Sequence, residues 1–290
     1  MNKRIHLTII GVGLIGGSFA RAVRAAGMVE HITGCGRNRE NLQRAVELGV
    51  IDDYYLDIKE AVKNADVIFI ATPVGSFKDI LYQIKDALKD GAIITDGGST
   101  KGSVIEAAES VFDELPANFV PGHPIAGTEN SGVEASFATL YQDHRVILTP
   151  LAYTSPEALE VVAKLWKSTG AQVVSMEPHH HDQVLAATSH LPHLLAFSLV
   201  NTLTTLDERR EIFEYAAGGF KDFTRIASSD PSMWQDICLA NKDALLEHLE
   251  HFSQDLNLLR TALEHSDGDY LKQVFVRAKQ SRDDLADKNK

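Results

Sequence analysis

Residues 7–23 read LTIIGVGLIGGSFARAV: an apolar β-branched run, then Gly11, Gly13 and Gly16 spaced as GxGxxG, then a helix-like stretch. This pattern constrains the chain more than any other. The first glycine permits a tight turn, the second lets backbone approach a pyrophosphate, and the third lets helix and strand pack closely. The helix N-terminus then faces the phosphates with its unpaired amides. A bare GxGxxG is weak evidence, but between a strand and a helix it predicts a dinucleotide site formed by Gly11, Gly13, Leu14, Ile15 and Gly16.

The alternation continues well beyond that motif. RIHLTII, HITGCG, DVIFIAT, AIITDGG, NFVPG, RVILTP and QVVSME read as strands, separated by amphipathic segments such as SPEALEVVAKLWKSTG. Such βαβ repetition predicts a mostly parallel sheet over residues 1–177. After Pro178 the strand-like runs stop and helical periodicity takes over, so residues 178–290 are expected to form a second, all-helical domain. The fold class is therefore a Rossmann-like α/β domain followed by an all-α domain. Residues 184–203 are apolar on nearly all faces, which fits either a dimer core or a central helix buried within one chain.

Composition narrows the partners. A net charge of -12 opposes sequence-independent nucleic-acid binding, which needs a positive surface. No run of 18 or more apolar residues is read as a membrane span, and the basic, apolar start MNKRIHLTIIG runs into the glycine motif rather than a cleavage site. Cys35 and Cys238 lie far apart without CxxC spacing, so neither a disulfide framework nor a thiolate metal cage is indicated and a reducing cytoplasm is expected. The partners expected are a small-molecule substrate and a second copy of the chain, with no nucleic acid and no membrane.

The end of the second strand normally carries an acid that meets the adenosine ribose of NAD and repels the 2′-phosphate of NADP. Here Gly36 is followed by Arg37 and Asn38, with Arg39 and Arg44 nearby. The site therefore lacks a device for excluding NADP, and Arg37 is a candidate for holding it; NADP or dual use is expected. Thr72 and Pro73 end one strand and Ser99 follows another, both at the carboxyl edge where ligands of parallel sheets bind. Ser99 reads equally as the N-cap of the helix that follows. His123 ends the next strand, where Pro124 holds it in extended geometry at the rim of the sheet.

Taken together, GVGLIGGSFA, DGGSTKG, GHPIAGTENSGVEAS, SHLPHLLAFSL and GGFKDFTRIASSDPSMWQDI resemble the prephenate and arogenate dehydrogenase family of tyrosine biosynthesis. The resemblance covers essentially the whole chain. It implies oxidative decarboxylation of prephenate, arogenate or both, with hydride transfer to NAD or NADP. It also implies that His123 accepts a hydrogen bond from the substrate's ring hydroxyl, that Ser99 sits beside it and the nicotinamide, and that Thr128 and Glu129 line the pocket. Imidazole suits the first role because its pKa lies near neutrality and one ring nitrogen accepts while the other donates.

The second domain supplies the opposite wall. Ser189 and His193 are four apart, so a regular helix places both on one face and turns His190 aside. Burying that hydroxyl and imidazole unpaired costs roughly 1–3 kcal/mol each, which a polar ligand relieves. The resemblance adds Arg225 for a substrate carboxylate, with Asp222 its nearby acid, Trp234 a pocket wall, and Gly218 and Gly219 open to the same ligand. A surface ion pair between Arg225 and Asp222 is the plainer alternative. HHH at 179–181 suggests a metal, but adjacent side chains on a helix diverge, so a solvated helix entry is preferred and no metal is expected.

Two other functions fit parts of the pattern. A 3-hydroxyacid dehydrogenase or a related imine reductase also joins such domains but would carry a catalytic lysine on the first helix of the second domain, and the sequence has none between Lys167 and Lys221. A non-catalytic NAD(P) sensor remains as the binding-only alternative.

Overall fold

The computed structural model describes residues 5–206 and 209–287. Its first sheet is built from β1 (Ile5–Ile10), β2 (Val29–Cys35), β3 (Asp53–Tyr55), β4 (Val67–Ile70), β5 (Ile93–Asp96) and β6 (Phe119–Val120). All pairings are parallel, in the order β3-β2-β1-β4-β5-β6. The order reverses between β1 and β4, so a crevice opens beyond their carboxyl ends.

The intervening helices are α1 (Leu14–Ala25), α2 (Arg39–Glu47), α3 (Ile58–Val62), α4 (Phe77–Ile84) and α5 (Gly102–Glu109). Both sheet faces are covered, and the buried strands are accordingly apolar on both sides. Alternation sends Leu7, Ile9, Val67 and Phe69 into one core and Ile10, Ile68, Ile70 and Ile94 into the other. Trp166 anchors the first core, with ring centroids 4.4 Å from Phe19 and 5.1 Å from Tyr141.

The strand expected over 118–122 divides in two at Pro121. After β6, the segment β7 (Gly122–Pro124) leaves the parallel sheet and pairs antiparallel with β8 (Arg145–Leu148), which pairs parallel with β9 (Gln172–Ser175). The expected single sheet is thus a six-stranded parallel sheet with a separate three-stranded one. Before β9 runs α6 (Pro156–Ser168), started by the Ser155 cap on the Ala158 amide and by Pro156 in its first turn.

Among the described residues beyond β9 only helices follow: α7 (Pro178–Leu185), α8 (Leu191–Thr204), α9 (Arg209–Glu214), α10 (Gly218–Thr224), α11 (Pro231–Ala240), α12 (Lys242–Glu264) and α13 (Gly268–Asp287). Glu177 begins α7 by accepting from the His179 and His180 amides at 3.0 and 2.8 Å. A π-turn at residues 186–190 joins α7 to α8. Pro192 has no amide proton to continue the regular ladder, and the wider turn accommodates that loss.

The helical run Pro178–Thr204 is, contrary to the reading from apolar runs, long and apolar enough to cross a membrane by length and composition. Its polar groups are committed elsewhere: His181, Asp182 and His190 are buried in hydrogen bonds to α5, β7 and Asn241. In α8, Ala196 is the fully buried residue and most apolar neighbours are only half-buried.

The chain forms two compact units, divided between Lys242 and Asp243. The first contains both sheets and α1 to α11; the second consists of α12 and α13, two helices with several exposed Leu and Phe side chains, among them Leu256, Leu263 and Phe275.

Candidate active site

The glycine motif sits as its spacing requires. Gly11 has φ +96°, and a Cβ there would come within 2.6 Å of the Ala71 carbonyl oxygen; one on Gly16 would come within 2.2 Å of the Gly11 carbonyl oxygen. Around Gly13 nothing lies within 4 Å of that position, so backbone and the start of α1, at Leu14 and Ile15, are open to a phosphate group. These are the marks of a dinucleotide cradle. Tyr141 fixes the mouth of it by donating from its hydroxyl to the Ile15 carbonyl at 2.6 Å.

At the end of β2, Asn38 caps α2 and Asn41 donates to the Val12 carbonyl at 2.9 Å. Arg44 is occupied by Glu134 and Glu47, whereas Arg37 is exposed and makes no ion pair among the described residues. Thr72 accepts from the Ser76 hydroxyl at 2.8 Å, which shapes the turn after β4 together with Pro73.

Ser99 is half-buried just beyond β5 and is not the cap of α5. That helix starts at Gly102, behind Lys101, and its first amides are met by a residue from far along the chain: Asp182 accepts from the Lys101 and Gly102 amides, each at 2.8 Å. Lys101 is itself wholly buried. Its ammonium pairs with the equally buried Asp96 and donates to the Gly122 carbonyl at 2.6 Å. Asp96 in turn accepts from the Gly98 and Gly122 amides. Burial pulls the Lys101 pKa down, and Asp96 opposes that effect.

This network holds the backbone immediately before His123. The His123 ring is half-buried, with Nδ1 2.9 Å from His181 Nε2. His181 Nδ1 lies 2.8 Å from Asp182 Oδ1. Burial is the main reason the His123 pKa is pushed well down, and the nearness of His181, Lys101 and His190 adds to it. His181 is lowered by burial despite its hydrogen bond to Asp182. At neutral pH both imidazoles are therefore uncharged.

The prediction of a solvated entry at 179–181 is thus corrected for one of the three residues. His179 and His180 are exposed, but His181 faces inward because Glu177 caps the helix and sets its phase. The helical-wheel reading of 189–193 also changes. The π-turn rotates the chain so that His190, expected to turn aside, is buried and receives a hydrogen bond from Asn241 at Nδ1, 3.1 Å away. Its Nε2 finds no partner among the described residues. Burial lowers the His190 pKa to about 4.

His193 and Ser189 are joined as expected in place but not in chemistry: His193 Nδ1 donates to the Ser189 carbonyl at 2.8 Å rather than meeting its hydroxyl. The His193 ring stacks on Trp234, with centroids 3.6 Å apart and planes at 18°. Trp234 is buried, and its indole N–H has no partner among the described residues. Arg225 is 64% exposed and lies 3.8 Å from Glu129, not paired with Asp222. Thr128, Asp222, Gly218 and Gly219 are exposed, and the space around both glycines is open.

The structure therefore joins Glu129 with Arg225 and His193 with Trp234, and it places His123 on β7 directly after Gly122, whose backbone is held by Lys101 and Asp96. Sequence reading did not find Asp96, Lys101, His181, Asp182, His190 or Asn241. A buried Lys between two buried Asp leaves no periodic signal; the one clue was Asp182 directly after a histidine run. Among the described residues, no group of three or more His, Cys, Asp or Glu is arranged to hold a metal ion.

Known proteins resemble this chain along nearly all of its length. Two family models match: prephenate dehydrogenase, nucleotide-binding domain, over residues 19–175, and prephenate dehydrogenase, dimerization domain, over residues 177–277. A cyclohexadienyl dehydrogenase from Zymomonas mobilis is 43% identical over 280 residues, covering 96% of this chain and 94% of that protein. A prephenate dehydrogenase from Bacillus subtilis is 39% identical over 283 residues, covering 96% and 76%. The crystal structure of prephenate dehydrogenase from A. aeolicus, in complex with hydroxyphenyl propionate and NAD+, superimposes with a TM-score of 0.87 at 39% identity, covering 97% of this chain and 99% of that one.

Proposed function

The chain belongs to the prephenate dehydrogenase family, and on that premise we propose that it oxidatively decarboxylates prephenate, arogenate or both. The observation that carries the reading is His123, whose ring meets His181 and whose preceding residue, Gly122, is held by Lys101 and Asp96. Gly11, Gly13, Leu14, Ile15 and Gly16, with Thr72, Pro73 and Ser99, would hold a nicotinamide dinucleotide, which when bound would supply the hydride acceptor.

The residues of the chain act on the substrate. As hydride leaves the ring carbon that bears the hydroxyl, that carbon takes on carbonyl character and the hydroxyl proton becomes acidic. His123 accepts it, which lowers the barrier. The ring carboxylate leaves as carbon dioxide, its bonding electrons complete the aromatic ring, and the proton returns to the phenol oxygen. Ser99 orients the same hydroxyl. Arg225, whose contact with Glu129 is long and open to solvent, meets a substrate carboxylate with its guanidinium fork. Thr128, Glu129, Ser189, His193, Gly218, Asp222 and Trp234 complete the pocket; the unpartnered Trp234 N–H is a donor for a polar ligand.

NADP or dual cofactor use fits best, because no acid stands at the end of β2 and Arg37 is exposed there. We place the functional boundary at 177/178. The half-buried apolar surface of α8 and the exposed Leu and Phe of α12 and α13 support a homodimer through the helical part, which sedimentation analysis would report as twice the mass of one chain. The free Cys35 and Cys238 support a reducing cytoplasm as its compartment.

Steady-state assays crossing prephenate and arogenate with NAD and NADP test the proposal. Turnover with at least one pairing is expected; cofactor binding without turnover of either substrate would favour a sensor.

A further inference from the structure

The hydrogen bonds behind His123 determine which of its nitrogens bears hydrogen. Asp182 is a carboxylate fixed from three sides, by the Lys101 amide, the Gly102 amide and His181 Nδ1, each at 2.8 Å. Its oxygens only accept, so His181 Nδ1 must donate. Neutral His181 then has a bare Nε2, which must accept at 2.9 Å from His123 Nδ1. One choice remains for His123: hydrogen on Nδ1 and a lone pair on Nε2.

We propose that Asp182, acting through His181, is a positioning residue that fixes His123 in the Nδ1–H tautomer, so that its free Nε2 is the proton acceptor. This rests on the dehydrogenase reading above only for the acceptor role; the tautomer itself follows from the contacts. Asp182 sits on α7, far in sequence from β7, so the helical segment sets the chemistry of a residue carried by the sheet. The charged and titratable groups that face His123 are Lys101 from the start of α5, His181 from α7 and His190 from the π-turn. Were His181 protonated, its Nε2–H would donate to His123 Nδ1, and His123 would present a donor instead of an acceptor.

Replacing Asp182 by Asn does not invert the chain of donors, because Oδ1 receives the Lys101 amide as well as His181 Nδ1 and Oδ2 receives the Gly102 amide; an NH2 at either place would face a backbone donor. Asp182→Ala instead removes the acceptor that keeps hydrogen on His181 Nδ1, so His181 and His123 are released to both neutral tautomers and part of His123 presents Nε2–H. In serine-protease triads a wrong tautomer of the catalytic histidine lowers kcat by about 10⁴. Here His181→Gln serves as the conservative variant, since a Gln amide can donate to Asp182 and accept from His123 together.

The test is nitrogen-15 NMR of histidine-labelled protein, with the His123 ring signals assigned by their loss in His123→Asn. The wild type is expected to show a protonated Nδ1 and a bare Nε2 at His123. Asp182→Ala should bring part of it to the Nε2–H form and lower kcat about tenfold or more, with KM and cofactor affinity within a few-fold. His181→Gln should retain more kcat than Asp182→Ala. A wild-type His123 carrying hydrogen on Nε2 would overturn the proposal, as would Asp182→Ala with near-normal kcat. The wild-type spectrum decides the tautomer even if Asp182→Ala does not fold. It also needs no substrate, so failure of the relay is distinguishable from failure of the assigned reaction.

Discussion

Lys101 and Asp96 form an ion pair in which neither side chain has any solvent exposure. The pair joins the start of α5 to the end of β5, and both partners also hold the backbone of Gly122. Removing one partner of such a pair leaves an uncompensated buried charge, at a cost of about 3–5 kcal/mol. Lys101→Met is therefore expected to lower the unfolding free energy by that amount, seen as a lower urea midpoint at an unchanged m-value. Lys101→Met combined with Asp96→Asn should recover part of the loss. A single variant as stable as wild type would contradict the inferred role of the pair.

Acid should destabilise the fold through its buried histidines. His190 has a folded pKa of about 4, mainly because of burial, against about 6.5 in an unfolded chain. Between those values the unfolded state takes up a proton that the folded state refuses. Stability is then full above about pH 6.5 and falls as the pH drops toward 4, by up to about 3 kcal/mol from this residue. The lowered pKa values of His123 and His181 act in the same sense. Denaturant titrations at pH 7.5 and 5 should show a steeper loss for wild type than for His190→Gln; equal slopes would refute the assignment.

Arg225→Ala should raise the Michaelis constant for substrate at least tenfold with a smaller change in kcat, as expected where binding is lost equally from ground and transition states. An unchanged Michaelis constant for Arg225→Ala would remove the carboxylate contact from the scheme.

Cofactor choice can be read at Arg37. Loss of one exposed charge-assisted contact to a 2′-phosphate is worth about 1.4 kcal/mol, or tenfold. Arg37→Ala should weaken NADP binding by about that factor and leave NAD binding unchanged, as titration calorimetry would measure. Equal effects on both cofactors would place Arg37 outside the ribose site.

Much of this architecture was legible in the sequence because local chemistry dictated it. GxGxxG between an apolar run and a helix left little freedom at Gly11 and Gly16, and the apolar strand endings located Thr72 and Ser99 at the carboxyl edge. Other features depended on distant partners. β3 is three residues long, too short for a periodic signal. The escape of β7 into a second sheet depends on β8, more than twenty positions later. His181 looked like one of three solvated histidines, and its inward orientation comes from Glu177 setting the phase of α7 and from Asp182 reaching Lys101. Pro192 was the available sign of the π-turn that buries His190. The roles of Arg225 and Trp234 came from family resemblance, since nothing in their local spacing marks a binding site.

The most direct test of the central claim is single-turnover kinetics of His123→Asn beside measured cofactor affinity. The account predicts unchanged dinucleotide binding and a rate of cofactor reduction lower by at least about a hundredfold, the lower bound for a positioned general base. Near-normal reduction of cofactor by His123→Asn, with prephenate or arogenate bound, would contradict it.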